Sequence, residues 1–296
     1  MNTDISKTGF APIPIIDGIA EFAARFDGLI LDLWGVVHNG RAPFPAAIDC
    51  MRNLRARDKA ILLLSNAPRR VAEVRAFLDK IGVPRDCYDQ VLTSGELTRD
   101  ALAEGRAGVP GQRFYRLGPE RDWGLLAGLD FRVAEISDAD FILCTGLFDD
   151  ERETAADYAR LFDVAVARGL PLICANPDLS VIRGDQSIPC AGSLAAAYEA
   201  RGGRTIAFGK PHAATYASAL ALLGLEKRAV LAVGDSLRTD IAGAAAAGIA
   251  SILVTGGIHA DEWGLKPGQA PDPSAVAAAA IRERARPDAA MTELRW

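Results

Sequence analysis

Long apolar runs, clustered cysteines and an excess of basic residues are all missing from this sequence. No stretch approaches the ~20 apolar residues of a membrane-spanning helix, and the run from Ala229 to Val233 is long enough only for a strand. The opening Met-Asn-Thr-Asp-Ile-Ser-Lys-Thr has no apolar core of the signal-peptide kind, so a cytoplasmic protein is expected. Histidine occurs three times and cysteine five times, at positions 50, 87, 144, 174 and 190. That odd, widely spaced set offers no close pair for a structural zinc, and it reads as buried thiols in a reducing compartment. Against 38 Asp and Glu stand 33 Lys and Arg, a formal charge of −5. This balance argues against nucleic acid or an anionic membrane as partner.

What is present is an ordinary globular composition, 50% hydrophobic and 24% charged over 296 residues, enough for two domains or one with an insertion. Short apolar runs alternate with helical patterns. Residues 29–33, 60–64 and 90–93 read as strands, separated by predicted helices over 46–59 and 71–81, the latter closing at Gly82. A short helix is expected to begin at Asp17 as N-cap. Strands are predicted at 113–117, 131–133, 141–144 and 172–175, with a helix over 151–168 between the last two. An Ala-rich helix starts near Ser193, the rhythm resumes from Thr205, and strands at 229–233 and 251–254 flank a helix over 240–247. The Pro-rich stretch 267–273 reads as a connector before a final Ala-rich helix, and Trp263 and Trp296 are expected to pack on the core. The fold class is therefore α/β, a Rossmann-like three-layer parallel-sheet core (1–92 and 192–296) carrying an inserted α/β cap domain (93–191).

Four separated segments place polar groups at strand ends or helix starts: Asp32; Ser65-Asn66; Lys210 in Gly-Lys-Pro-His; and Asp235 with Asp240 in Gly-Asp-Ser-Leu-Arg-Thr-Asp. In an open parallel sheet the carboxyl ends of the strands form the ligand edge. Three carboxylates on one edge repel unless a divalent cation lies among them, and hard oxygen donors suit Mg²⁺. With a hydroxyl, an amide and an ammonium added, the set is built for a phosphoryl group.

On these motifs the chain resembles the haloacid dehalogenase-like hydrolases, in particular the NagD-type and nitrophenylphosphatase-like phosphatases (class IIA) with a large α/β cap. Thr93-Ser-Gly-Glu96, Asn176-Pro-Asp178 and Ala191-Gly-Ser193 extend the likeness over nearly the whole chain. The resemblance implies Asp32 as nucleophile, Ser65 and Lys210 as its catalytic partners, and Mg²⁺ held by Asp32, the Trp34 backbone carbonyl, Asp235 and Asp240. It implies phosphate or substrate contacts from Gly35, Ser65, Asn66, Lys210, Trp34 and Asn176, with Asp178 and Arg183 as further cap residues that could face the core. The expected activity is hydrolysis of a small phosphorylated metabolite through an aspartyl-phosphate, and a homodimer through the cap is compatible with the resemblance.

One position departs from the pattern. Two residues beyond the nucleophile the family's phosphatases carry an Asp that protonates the leaving group and activates water; here Trp34 stands in its place. Indole supplies neither a usable proton nor a basic lone pair. Three consequences are open: His38 substitutes as the acid; substrates are restricted to good leaving groups; or the chain binds a phosphate ligand with little turnover. A carbon–halogen hydrolase fits less well, because halide displacement has no need of Asp235 and Asp240. Trp34 itself could stack on a substrate or pack beneath the cap.

Overall fold

The computed structural model describes residues 12–184, 186–266 and 268–296. In chain order the strands are β1 (Gly28–Asp32), β2 (Ala60–Ser65), β3 (Gln90–Thr93), β4 (Arg113–Leu117), β5 (Arg132–Val133), β6 (Phe141–Cys144), β7 (Pro171–Cys174), β8 (Ser180–Arg183), β9 (Gln186–Pro189), β10 (Arg204–Ala207), β11 (Val230–Gly234), β12 (Ala250–Val254) and β13 (Ala289–Met291). The chain divides into two compact units. Residues up to 64, 78–91 and 211–296 make the first; 65–77 and 92–210 make the second.

The first unit is built on a sheet of order β13-β12-β11-β1-β2-β3. β1 pairs in parallel with β11 and β2, and β12 in parallel with β11 and β13. Every residue of β1 and of β11 is buried, as expected of central strands covered on both faces. The helix Pro273–Arg282 lays Val276, Ala277 and Ala280 against Leu253, Leu237 and Ile13. Trp263 packs on the same cluster, and the Arg57 guanidinium lies 4.2 Å above the Trp296 ring.

The second unit has its own five-stranded sheet, β10-β7-β6-β4-β5, with parallel pairs throughout, and an antiparallel hairpin of β8 and β9. Period-two alternation sends Ile142, Cys144, Leu172 and Cys174 to one face, where they meet Phe162 and Tyr198. Phe141, Leu143 and Ile173 go to the other, against Phe114 and Leu102. Both sheets are thus covered, and the class expected from the alternation, an α/β parallel-sheet core with an additional sheet and helices, is the observed one.

Three local expectations change. The first helix is only Ala20–Ala23 with Ile19 at its N-cap, so Asp17 caps nothing; its carbonyl and carboxylate face Arg295 instead. The helix expected over 151–168 is Ala159–Ala167, entered through a 3₁₀ turn (Ala155–Tyr158) that Thr154 and Asp157 close as a capping box. The hairpin β8–β9 and the short edge strand β13 were not predicted. All five cysteines are free and buried. Pro267, at the head of the expected connector, lies outside the described residues; Asp272 at its far end accepts from Ser274 N and caps the last helix. Among the described residues no helix is long and apolar enough to cross a membrane.

Candidate active site

Asp32 is the last residue of β1, opposite Leu64 of the neighbouring β2, and Asp235 follows the last residue of β11. Adjacent strands therefore deliver two carboxylates to the same sheet edge. Asp240 supplies a third. One oxygen from each lies within 4.8 Å of the others, and the three residues are 6%, 8% and 5% exposed. Two unit charges at that spacing repel by roughly 3 kcal/mol at an effective dielectric of about 20. All-oxygen donors in this number suit a hard divalent cation, which would remove the repulsion.

The surrounding backbone is shaped for that carboxylate cluster. Gly35 has φ +75°, and a Cβ there would come within 2.0 Å of Asp235 Oδ2; one on Gly257 would come within 2.1 Å of the same atom. Ile258 N donates to Asp235 Oδ2 at 2.8 Å. The residues present fit a divalent metal ion.

Asp240 arrives by a single π-helical turn, Leu237–Ile241, not by the regular helix expected from 240. Ile241 N and Asp240 N both donate to Ser236 O, Ser236 Oγ accepts from Thr239 N, and Asp240 Oδ2 accepts from Ser236 N at 3.1 Å. The Tyr216 hydroxyl donates to Asp240 O at 2.9 Å. Extra residues in a helical turn re-aim a side chain, and such turns recur at functional sites.

The loop after Asp32 folds on itself. Gly35 N donates to His38 O, so this N–H is committed within the loop, and the bare Cα leaves space for Asp235. The Trp34 ring meets His38 edge-on at 5.1 Å between centroids and lies against Gly40. His38 is fully buried; its Nδ1 accepts from Gly40 N at 3.0 Å, which puts the neutral ring's proton on Nε2. Burial pushes its pKa down to about 4. A ring that is neutral at pH 7 and uses Nδ1 to brace its own loop is a poor replacement for a carboxylic acid.

The second unit holds the remaining residues. Ser65 is buried at the end of β2, its Oγ accepting from Ala67 N at 3.2 Å. Asn66 joins two distant segments: Oδ1 accepts from Lys210 N at 2.8 Å, while Nδ2 donates to Lys210 O at 3.1 Å and to Asp178 Oδ1 at 2.9 Å. Its amide is thus spent on positioning Lys210, itself buried. Asn176 Oδ1 accepts from Asp178 N in an Asx turn. Arg183 is paired with the buried carboxylate of Asp150, at 3.0 Å, which Arg121 also contacts. The residues that sequence reasoning missed are Ile258 and the glycine before it; a Gly-Gly pair one residue beyond the end of β12 was the available signal.

A family model described as haloacid dehalogenase-like hydrolase matches residues 29–132, and a second HAD-hydrolase-like model matches 207–280. A solved haloacid dehalogenase-like hydrolase from Brucella suis 1330 is 38% identical, with a TM-score of 0.83 over 95% of this chain and 100% of that one. The chain belongs to the haloacid dehalogenase-like hydrolases. Within that family this hydrolase is NagD-like. It is 28% identical to the ribonucleotide monophosphatase NagD of Escherichia coli over 78% of this chain and 88% of that protein. It is 32% identical to a D-glycerol 3-phosphate phosphatase of Mycobacterium tuberculosis over 246 residues, 81% of this chain but 65% of that longer relative. The last two relatives are phosphatases by name, and the acids described above fall inside the two matched segments.

Proposed function

We propose that this hydrolase is a phosphatase of a small phosphorylated metabolite that works through a covalent phosphoryl-aspartate on Asp32. The convergence of Asp32, Asp235 and Asp240 within 4.8 Å carries the reading. An Asp32 oxygen attacks phosphorus in line, the bond to the leaving oxygen breaks, and that oxygen departs with the electron pair. Water then attacks phosphorus, releasing inorganic phosphate and restoring the carboxylate. Asp32, Asp235, Asp240 and the Trp34 carbonyl would hold Mg²⁺, which when bound offsets the charge on the phosphoryl oxygens. By the resemblance, Ser65 would supply a hydroxyl and Lys210 an ammonium to the phosphoryl group, and Asn66 holds the Lys210 backbone in place. In this reading residues 93–191 are the inserted cap, returning to the core from 192.

Trp34 narrows the substrate. With indole at position 34 and His38 neutral and turned to its own loop, neither side chain protonates a departing alkoxide. General acid help is worth about 10²–10⁴ in rate. The substrates that lose least without it have leaving groups already stable as anions: acyl phosphates, aryl phosphates and phosphoanhydrides.

The test is phosphate release with and without Mg²⁺ from acetyl phosphate, p-nitrophenyl phosphate, and sugar and nucleotide monoesters, beside Asp32→Asn. Metal-dependent release lost in the variant supports the reading. No release from any of them by folded, metal-binding protein overturns turnover in favour of a phosphate-ligand binder.

A further inference from the structure

The loop that follows β12 makes two contacts with the segment that carries Asp235 and Asp240. Ile258 N donates to Asp235 Oδ2 at 2.8 Å, and the next residue, His259, accepts the Leu237 N–H on Nε2 at 3.2 Å. Leu237 opens the π-helical turn that carries Asp240, and the first N–H groups of a helical turn have no partner within it. Ser236 Oγ and the Asp240 carboxylate take two of the N–H groups here, on Thr239 and Ser236; His259 takes that of Leu237.

The imidazole is fixed from behind. Because Nε2 accepts, the proton sits on Nδ1, which donates to Glu262 Oε2 at 3.1 Å; Glu262 Oε1 accepts in turn from Arg282 Nη2 at 2.6 Å. The ring stacks on Trp263 with centroids 5.1 Å apart and planes 21° from parallel, and only 14% of the side chain is exposed. A carboxylate that selects the tautomer, an aromatic plane that sets the ring angle and a helix-borne arginine that holds the carboxylate make a built support.

We propose that His259 is a positioning residue of the metal site, acting through the Leu237 N–H to hold the turn that aims Asp240, while the same loop's Ile258 N–H aims Asp235. The proposal rests on the metal reading given above. Partners of this outer kind typically change metal affinity by about 10- to 100-fold when removed.

Three variants separate this role from packing. His259→Phe keeps the stack on Trp263 and loses the acceptor, His259→Gln restores an acceptor, and Asp235→Asn removes a ligand. Isothermal titration of the full-length chain with Mg²⁺, and with Mn²⁺ as a second probe, reads the affinity without turnover. His259→Phe is expected to weaken binding by about 10- to 100-fold, with His259→Gln regaining most of it. At saturating metal, KM for p-nitrophenyl phosphate should stay near the wild-type value. Metal binding by His259→Phe equal to wild type, or equal weakening in the Phe and Gln variants at matched thermal stability, overturns the role of the acceptor. If the wild-type chain binds no metal and behaves like Asp235→Asn, the metal reading itself fails, and this inference with it.

Discussion

Gly35 stands where any side chain would enter the Asp235 carboxylate: a Cβ there would lie 2.0 Å from Oδ2. Its φ of +75° adds a conformational demand to the steric one. Gly35→Ala should therefore displace Asp235, weaken divalent-metal binding by tenfold or more on the scale of about 10- to 100-fold, and cost about 1–3 kcal/mol of stability through backbone strain. Titration calorimetry and urea unfolding measure the two separately. Unchanged metal affinity would show that the cluster tolerates the shift.

The leaving-group argument yields a second expectation. Phosphorylation of the enzyme should depend steeply on leaving-group acidity, faster for p-nitrophenyl and acetyl phosphate than for glycerol or sugar phosphates. Trp34→Asp should raise turnover of alkyl monoesters by about tenfold or more, toward the usual worth of a general acid, and help acetyl phosphate least. A flat dependence in the wild-type protein would mean that another group donates the proton.

His38 makes stability depend on pH. Its pKa in the folded protein is about 4, below the ordinary value of 6.5, because burial disfavours the cation. The unfolded chain thus takes up a proton as pH falls below 6.5, while the folded chain resists down to about 4. Above 6.5 the residue contributes no pH dependence, and between 6.5 and about 4 stability falls, by up to roughly 3 kcal/mol. His38→Asn keeps an acceptor for the Gly40 N–H and should remove this component of the slope. Urea titrations of both proteins at neutral and mildly acidic pH test it.

Asn66 ties the Lys210 backbone through two hydrogen bonds and Asp178 through a third. Asn66→Ala should lower kcat/KM by about 10²-fold, the scale of losing a preorganised charge stabiliser, while Mg²⁺ affinity stays at the wild-type level. A parallel loss of metal affinity would show that Asn66 serves the acids as well.

Much of this was legible because burial leaves a strong trace in sequence. Asp32 stands out at the end of an apolar strand, Asp235 directly after another, and the core strands carry the continuous apolar runs of a covered parallel sheet. Other elements carried little signal. β13 is Ala-Ala-Met, with no strand preference of its own, and forms by pairing with β12. β8 is half-buried along its length, so no alternation marks it. The π-helical turn at Leu237–Ile241 depends on hydrogen bonds to Ser236 that residue spacing does not encode. His38 looked like a stand-in acid because it is close to Asp32 in sequence; its full burial and its bond to Gly40 depend on the path of the loop. His259 reaches Leu237 across 22 residues, through a loop whose course the sequence does not specify.

The most direct measurement of the central claim is mass spectrometry of the chain quenched in acid after brief exposure to acetyl phosphate and Mg²⁺. The account predicts one added phosphoryl group, labile to hydroxylamine, mapping to the peptide that contains Asp32 and absent in Asp32→Asn. Phosphate release without such an adduct, or an adduct that persists in the variant, would contradict it.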